Sequence, residues 1–322
     1  MHQKDINVQI ERIYGFYVPD SFFAFWDFAN RASLETLKEY LRIIALGGPF
    51  DVIRAYAPDE HDPIRRARYY RDPPEFLTLM AGEIDGLHWG YYVDEAGEPD
   101  LPVASYWHSD SVGISMAGAD LLEATRLELE CHYRDAIEYL VSDASRAGAY
   151  QERLEKLEVL RGLLKQYATA DRPEQGFDYL ERYLTHSLRC PTIAPTRDDM
   201  GIVVPPESYR ALVRYDNGEF GILDTLRAQP SPATDDLFVR NYFPTVAEAE
   251  RMTDAALKAL DAGFAGTALK LGKDLWTCGR NVQHCSYRLL EAAYDALRRP
   301  LLRRYLDIAI AHRAWCAAQW ST

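Results

Sequence analysis

The sequence predicts an α+β protein. A small antiparallel sheet with flanking helices is expected in the N-terminal part, followed by a mostly helical C-terminal domain. Two observations lead to this class. Between residues 76 and 107, short segments rich in aromatic residues alternate with turn residues, as in a strand meander. Beyond about residue 119, apolar residues recur at spacings of three and four, which is the period of a helix.

The length of 322 residues favours two domains. We expect an N-terminal α+β domain over residues 1–135, a helical connection over 136–170 and a mostly helical domain over 171–322. No apolar run approaches the roughly 20 residues that cross a bilayer, and no secretory signal opens the chain. We therefore expect no association with membranes.

The net charge of −13 excludes a general electrostatic mode of nucleic-acid binding, because phosphates are paired by Lys and Arg. An acidic chain suits a basic protein partner or simple solubility. The five cysteines are scattered, which indicates a reducing compartment and not a disulfide framework.

The first helix is predicted over residues 21–30, where Phe22, Phe25, Trp26 and Ala29 share one helical face. A second helix is expected over 34–44, and Phe50 to Ile53 reads as a short strand or turn. Strands follow, at residues 76–80, 88–93 and 103–107.

The helical period then runs over 119–169 with a break near 142–148, and a further helix is expected over 175–188. Residues 201–204 read as a short buried strand. Thr245 and Glu248 have the spacing of a capping box, and Gly263 is placed to end that helix. Two more helices, the second beginning at Pro300, close the chain.

Generic catalytic signatures are missing: there is no nucleophile elbow, phosphate loop, dinucleotide fingerprint or zinc-protease motif. Cys278, His284 and Cys285 lie close together but lack the paired spacing of a structural zinc site, and Cys285 falls on an apolar helix face. We therefore expect no metal and no cofactor bound by the chain itself.

The strands carry an aromatic cluster that is either a stacking surface or core. Cross-strand packing is the commoner role for such rings, and for His88 and His108 beside them we expect structural positions. The cluster consists of Trp89, Tyr91, Tyr92, Tyr106 and Trp107.

Several strings, in order along nearly the whole chain, resemble the histone PARylation factor family. The most distinctive is Tyr69-Tyr70-Arg71-Asp72-Pro73-Pro74-Glu75-Phe76. The others are residues 14–16, 19–23, 25–28, 48–52, 89–94, 101–103, 201–205, 208–212, 269–276 and 278–279.

The resemblance implies an accessory factor that binds the catalytic domain of a poly(ADP-ribose) polymerase-like ADP-ribosyltransferase and changes its acceptor residue. It implies a Tyr-Arg pair that holds the complex, matched here by Tyr209 and Arg210. It also implies an Asp-Glu pair beside the partner's NAD, in which the Glu is the general base for a serine acceptor. Asp261 matches the Asp, so the partner-binding residues implied are Tyr209, Arg210 and Asp261.

The position of the Glu is Ala262, which cannot accept a proton. Either another acid fills the role, such as Asp261, Glu248 or Glu250, or this chain binds without supplying a base. A serine hydroxyl needs an adjacent base, and Asp261 is therefore the candidate catalytic residue. The chain is not expected to be active alone.

Two other functions stay open. One is an inhibitor or immunity-type protein that occludes a transferase or toxin, since the N-terminal half is similar to SUKH-type immunity domains. The other is an independent enzyme acting on ADP-ribose, which no motif supports. The expected location is the cytoplasm in a bacterial host and the nucleus in a eukaryotic one.

Overall fold

The computed structural model describes residues 2–55, 63–66, 68–94, 101–109, 113–142, 144–167, 193–215, 219–222 and 243–319. Within them lies an antiparallel five-stranded sheet with flanking helices in the N-terminal part, followed by a region dominated by helices, so the predicted α+β class is confirmed. The helix predicted over 175–188, Cys190 and most of 216–244 lie outside the described residues.

The sheet is a meander, because each strand pairs with the next along the chain. Its strands are β1 (Ile43–Leu46), β2 (Phe76–Gly82), β3 (Leu87–Tyr92), β4 (Val103–Trp107) and β5 (Ser115–Gly118). The central strand β3 is buried along its whole length. Gly90 lies at its middle, where an added Cβ would be 2.3 Å from the carbonyl oxygen of Leu77 on the neighbouring strand. Only glycine allows this approach.

The N-terminal helices cover the sheet with aromatic side chains. They are α1 (Gln3–Tyr14), α2 (Asp20–Ala32), α3 (Leu34–Leu41), α4 (Phe50–Ile53) and α5 (Pro63–Arg66). Phe22 and Phe25 of α2 are fully buried, and the Phe22 ring stacks on Phe50 with centroids 4.3 Å apart. Each such ring contributes about 1.5–3 kcal/mol of burial free energy.

A helical hairpin follows the sheet, formed by α6 (Leu121–Ser142) and α7 (Ala147–Lys165). The break predicted at 142–148 contains a short 3-10 turn. Glu130 of α6 is buried and accepts hydrogen bonds from Arg161 of α7. The domain boundary expected after residue 135 falls within α6, because its helical period continues across that point, and the division into domains stays a prediction.

The C-terminal region contains α8 (Val246–Asp261), α9 (Ala265–Trp276), α10 (Gln283–Ala296) and α11 (Pro300–Gln319), with a small two-stranded sheet of β6 (Leu212–Arg214) and β7 (Phe220–Ile222). The capping box of Thr245 and Glu248 is present, so this prediction is confirmed. The left-handed φ of Gly263, +97°, ends α8 as predicted.

One continuous hydrophobic cluster joins the sheet to the C-terminal helices, and polar contacts cross the same junction. Lys273 of α9 is buried and donates to the hydroxyl of Tyr92 at 2.5 Å, with Asp198 at 3.7 Å and Glu75 at 4.0 Å. The hydroxyl of Tyr294 donates to Glu75 at 2.7 Å. Glu75, the second acid of the distinctive N-terminal string, therefore stabilises the packing of the C-terminal helices on the sheet.

Two local predictions were wrong, and a third left two alternatives. The helix expected over 34–44 ends at Leu41, because Arg42 adopts a left-handed φ of +58° and the chain turns into β1. Phe50–Ile53, expected as a short strand or a turn, is a single helical turn, begun by Pro49 in helical conformation. The strand expected over 201–204 is reduced to one bridge between Ala194 and Ile202.

Among the described residues, no helix combines the length and apolar character needed to cross a bilayer.

Candidate functional site

The residues of the predicted partner-binding site lie around the N-terminal end of α9. Tyr209 and Arg210 follow a 3-10 turn over Pro206–Ser208. This segment packs against Gly266, where an added Cβ would be 3.0 Å from the carbonyl oxygen of Ser208 and 3.2 Å from Cβ of Tyr209. The absence of a side chain at 266 therefore allows the segment to lie directly on the helix.

Arg210 is exposed, and its backbone is tightly held. Its N–H donates to Oγ1 of Thr267 at 3.1 Å, and the Thr267 hydroxyl donates to the carbonyl oxygen of Arg210 at 2.6 Å. The guanidinium donates to the carbonyl oxygen of Tyr209 at 2.7 Å and lies 4.9 Å from the centre of the Phe264 ring. A fixed backbone and a ring beneath the side chain reduce the entropy lost when such an arginine binds a partner.

Tyr209 is half-buried and packs against the main hydrophobic cluster. Its ring therefore anchors the segment, while the neighbouring Arg210 faces solvent.

Asp261 is the last residue of α8, and Ala262 is its exposed C-terminal cap. Phe264 is linked to the same turn, because its N–H donates to the carbonyl oxygen of Ala259 at 2.9 Å. The Phe264 ring thus connects this turn with Arg210. We call Tyr209, Arg210, Asp261 and Phe264 the Arg210 surface.

No described acid occupies the place of Ala262. Glu248 lies 13 residues before Asp261 on α8 and belongs to the capping box, and at 1.5 Å per residue it is about 20 Å away along the helix. Glu250 is about 16 Å away by the same rise. It contacts His284 at 2.5 Å and accepts from Arg288 at 3.0 Å. Asp261 is therefore the remaining acid on this surface among those that the sequence offered.

Three potential metal ligands, Glu250, His284 and Cys285, lie within 4.8 Å of one another. Hydrogen bonding to His284 lowers the pKa of Glu250, and burial raises the pKa of the Cys285 thiol. The carboxylate is already shared between His284 and Arg288, and a protonated thiol is a poor ligand. Cys278, which the sequence grouped with them, lies elsewhere, 3.3 Å from Nη1 of Arg197.

Most of the aromatic cluster on the strands is core. Trp89, Tyr91, Tyr92 and Tyr106 are buried, whereas Trp107 is 43% exposed. His88 is fully buried as well, and its Nδ1–H donates to the carbonyl oxygen of Gly86 at 2.6 Å. These rings form no open stacking platform.

Asp72 is a buried carboxylate that connects the segment before β2 with side chains of the sheet. It accepts from the backbone N–H of Tyr69 at 2.9 Å and from the hydroxyl of Thr78 at 2.8 Å, and its Oδ1 is 3.0 Å from Nε2 of His88. Burial raises the pKa of Asp72, but the nearby His88 and Arg68 outweigh it and hold that pKa below its usual value. The Asp of the distinctive string is therefore structural.

Sequence reasoning missed Phe264 and Thr267, which connect and hold the Arg210 surface. A ring directly after the helix-ending Gly263 was a local signal for Phe264. The Thr267 contact joins residues 57 positions apart, and no local pattern predicts it.

Sequence comparisons with known proteins identify the family of this chain. A family model described as histone PARylation factor 1 matches residues 5–313. The histone PARylation factor 1 of Bos taurus is 25% identical over 329 residues, which cover 96% of this chain and 87% of the relative. That of Mus musculus is 24% identical over 325 residues, with the same coverage, and that of Danio rerio is 26% identical over 326 residues, covering 97% of this chain and 86% of the relative. Because the family model spans nearly the whole chain, this protein belongs to the histone PARylation factor family.

Proposed function

We propose that this chain is an accessory factor that binds the catalytic domain of a poly(ADP-ribose) polymerase-like ADP-ribosyltransferase and alters which residues receive ADP-ribose. Family membership supports this function. The observation that carries it is the Arg210 surface, where the exposed guanidinium of Arg210 lies over the ring of Phe264, next to the half-buried Tyr209 and three residues after the helix-ending Asp261. An arginine fork suits this role because it pairs two acceptors of a partner at once.

In this proposal, the partner binds NAD and this chain contributes a surface. Asp261 is the acid closest in sequence to the empty base position at Ala262 and would be the chain's contribution to proton transfer. The chain would be found where its transferase is, in the nucleus of a eukaryotic host or the cytoplasm of a bacterial one.

A second function, inhibition by occlusion, is favoured by one observation. Ala262 is exposed and carries no carboxylate, so a complex formed through Arg210 would cover the transferase without offering the base that a serine acceptor needs.

Mapping of acceptor residues tests the two functions against each other. The chain is incubated with NAD and a poly(ADP-ribose) polymerase of the same host, and modified side chains are identified by mass spectrometry. New acceptor residues support the accessory role, and loss of automodification without new acceptors supports inhibition. Unchanged products together with no binding would exclude both, and the chain incubated with NAD alone tests for independent activity.

A further inference from the structure

A cavity of about 500 Å³ lies between the distinctive N-terminal string and the C-terminal helices. We call it the arginine cavity, because Arg71, Arg280 and Arg313 line it together with the rings of Tyr70 and Trp276. Its volume falls in the range of small-molecule sites, about 300–1,000 Å³.

Arg313 of α11 is the central observation. Its side chain is buried, with 3% of the residue exposed, and it makes no salt bridge to a carboxylate of the described residues. Nε donates to the carbonyl oxygen of Tyr70 at 2.9 Å and Nη2 to that of Trp276 at 3.2 Å. Nη1 has no hydrogen-bond partner within the described chain. A buried guanidinium without a counter-charge is costly, and an anionic ligand would supply that charge.

The direction of the pKa shift of Arg313 agrees with a missing counter-charge. Burial lowers its pKa, and the groups that most oppose the shift are the neighbouring hydroxyls of Tyr287, Tyr70 and Tyr106. A bound anion would restore the ordinary stability of the charged form.

The acids near the cavity that belong to the described residues are already engaged. Asp198 lines the wall, but it accepts from the hydroxyl of Thr196 and from the backbone N–H of Met200 at 3.1 Å, and Lys273 is 3.7 Å away. Asp72 does not line the cavity; it accepts a hydrogen bond from the hydroxyl of Tyr106, which does. Neither carboxylate is placed as the partner of Arg313.

The rings of the cavity suit a flat group. The guanidinium of Arg313 lies 3.6 Å from the centre of the Trp276 ring, and both Arg313 and Arg280 lie 5.2 Å from the centre of the Tyr70 ring. Stacked arginine and aromatic planes bind planar ring systems, and several guanidiniums together bind phosphate.

We propose that the arginine cavity binds a small organic phosphate that carries a planar ring, the class to which a nucleoside monophosphate belongs. The site is separate from the Arg210 surface. The cavity adjoins Trp276 at the C-terminal end of α9, whereas Phe264 precedes its N-terminal end, and a helix of 12 residues is about 18 Å long.

Titration calorimetry of the full chain with adenosine monophosphate tests the proposal, with adenosine and inorganic phosphate as separate probes. We expect saturable binding of the monophosphate below about 1 mM and at least about tenfold weaker binding of either probe alone. Absence of saturable binding up to about 10 mM would overturn the proposal. If adenosine bound as tightly as the monophosphate, the claim that the cavity recognises phosphate would be overturned. If inorganic phosphate bound as tightly, the claim that the cavity recognises a planar ring would be overturned.

Two variants locate the ligand. Arg280→Ala removes the exposed guanidinium of the cavity, and Arg313→Gln removes the buried guanidinium. We expect each variant to bind the monophosphate at least about tenfold more weakly. Arg313→Gln also loses structural hydrogen bonds, so the exposed Arg280 variant carries the test if the other fails to fold. Arg134→Ala, which alters an arginine outside the cavity whose side chain is 42% exposed, should bind as the natural chain does. Undiminished binding by Arg280→Ala would place the ligand elsewhere.

Discussion

At the scale of single residues, position 262 is where the proposed composite site lacks a carboxylate, because the residue there is alanine. The side chain is exposed at the C-terminal cap of α8, so a longer one meets no packed neighbour that would prevent the change. A negative charge there opposes the helix dipole, at a cost of about 0.3–1 kcal/mol.

We predict that Ala262→Glu raises ADP-ribosylation of serine residues when the chain is mixed with its transferase and NAD. The added carboxylate would serve as the base that the serine hydroxyl needs. Acceptor mapping by mass spectrometry measures the effect, and Ala262→Gln, of similar size without a basic oxygen, is the control. Equal gains from both variants would show that proton transfer is not the cause.

At the scale of elements, the contact of α9 with the preceding segment sets the position of Tyr209 and Arg210. A Cβ at position 266 would lie 2.9 Å from Cγ2 of Val204 and 3.0 Å from the carbonyl oxygen of Ser208. One of these atoms must move if glycine is replaced.

We predict that Gly266→Ala lowers the free energy of unfolding by about 1–3 kcal/mol and weakens binding of the transferase, because the segment is pushed off the helix. Urea unfolding and titration calorimetry measure the two effects. Gly162→Ala on α7 is the matched control, since nothing lies within 4 Å of a Cβ there. That change should instead stabilise the helix by about 0.5–1 kcal/mol, and a stabilised Gly266→Ala would contradict the close contact.

The hairpin of α6 and α7 predicts a dependence of stability on pH. Burial and the nearby Arg153 and Arg42 lower the pKa of His132 to about 4. In the unfolded chain the pKa of histidine is about 6.5, so between these values the unfolded state binds more protons. The contribution of His132 to stability is therefore present above about pH 6.5 and is lost as the pH falls towards 4.

We predict that His132→Gln flattens the decline of unfolding free energy between pH 7 and pH 4 by about 2 kcal/mol. Urea unfolding at a series of pH values measures it. His2→Gln, at an exposed position near the N-terminus, should leave the profile unchanged. Parallel profiles for His132→Gln and the natural chain would contradict the lowered pKa of the half-buried His132 imidazole.

At the scale of the whole molecule, Lys273 ties the helices to the sheet. Glu75 and Asp198, both buried, share its charge. Removing the charge of Lys273 leaves the buried carboxylates of Glu75 and Asp198 without this cationic partner.

We predict that Lys273→Met lowers the free energy of unfolding by about 3–5 kcal/mol, as expected when one member of a buried ion pair is lost. Lys258→Met on the exposed face of α8 is the control and should change stability by less than about 0.5 kcal/mol. Urea unfolding compares the two. A similar small effect from both would show that the junction does not depend on this lysine.

The parts of the fold that the sequence predicts are those with local signals. The helical spacing around Phe22, the strand at 103–107 and the capping box at Thr245 each lie within a few consecutive residues. β1 escaped prediction because it is short and is held by partners 34–39 residues away. The helical form of the turn at Phe50 escaped prediction because the turn is short and its ring partner, Phe22, is 28 residues away.

The candidate site likewise has parts that the sequence indicates and parts that only the structure reveals. Tyr209, Arg210 and Asp261 were chosen through the family resemblance, and the structure adds that Arg210 and the turn after Asp261 share Phe264. The arginine cavity could not be predicted, because Tyr70 and Arg313 are 243 residues apart in the chain.

The central claim, binding of a transferase through the Arg210 surface, is tested most directly by titrating the chain against the catalytic domain of a poly(ADP-ribose) polymerase of the same host. We predict a one-to-one complex that Arg210→Ala weakens at least about tenfold, or about 1.4 kcal/mol, while Arg134→Ala, at an arginine of α6 whose side chain is 42% exposed, leaves it unchanged. Equal affinity of the natural chain and Arg210→Ala would contradict the account.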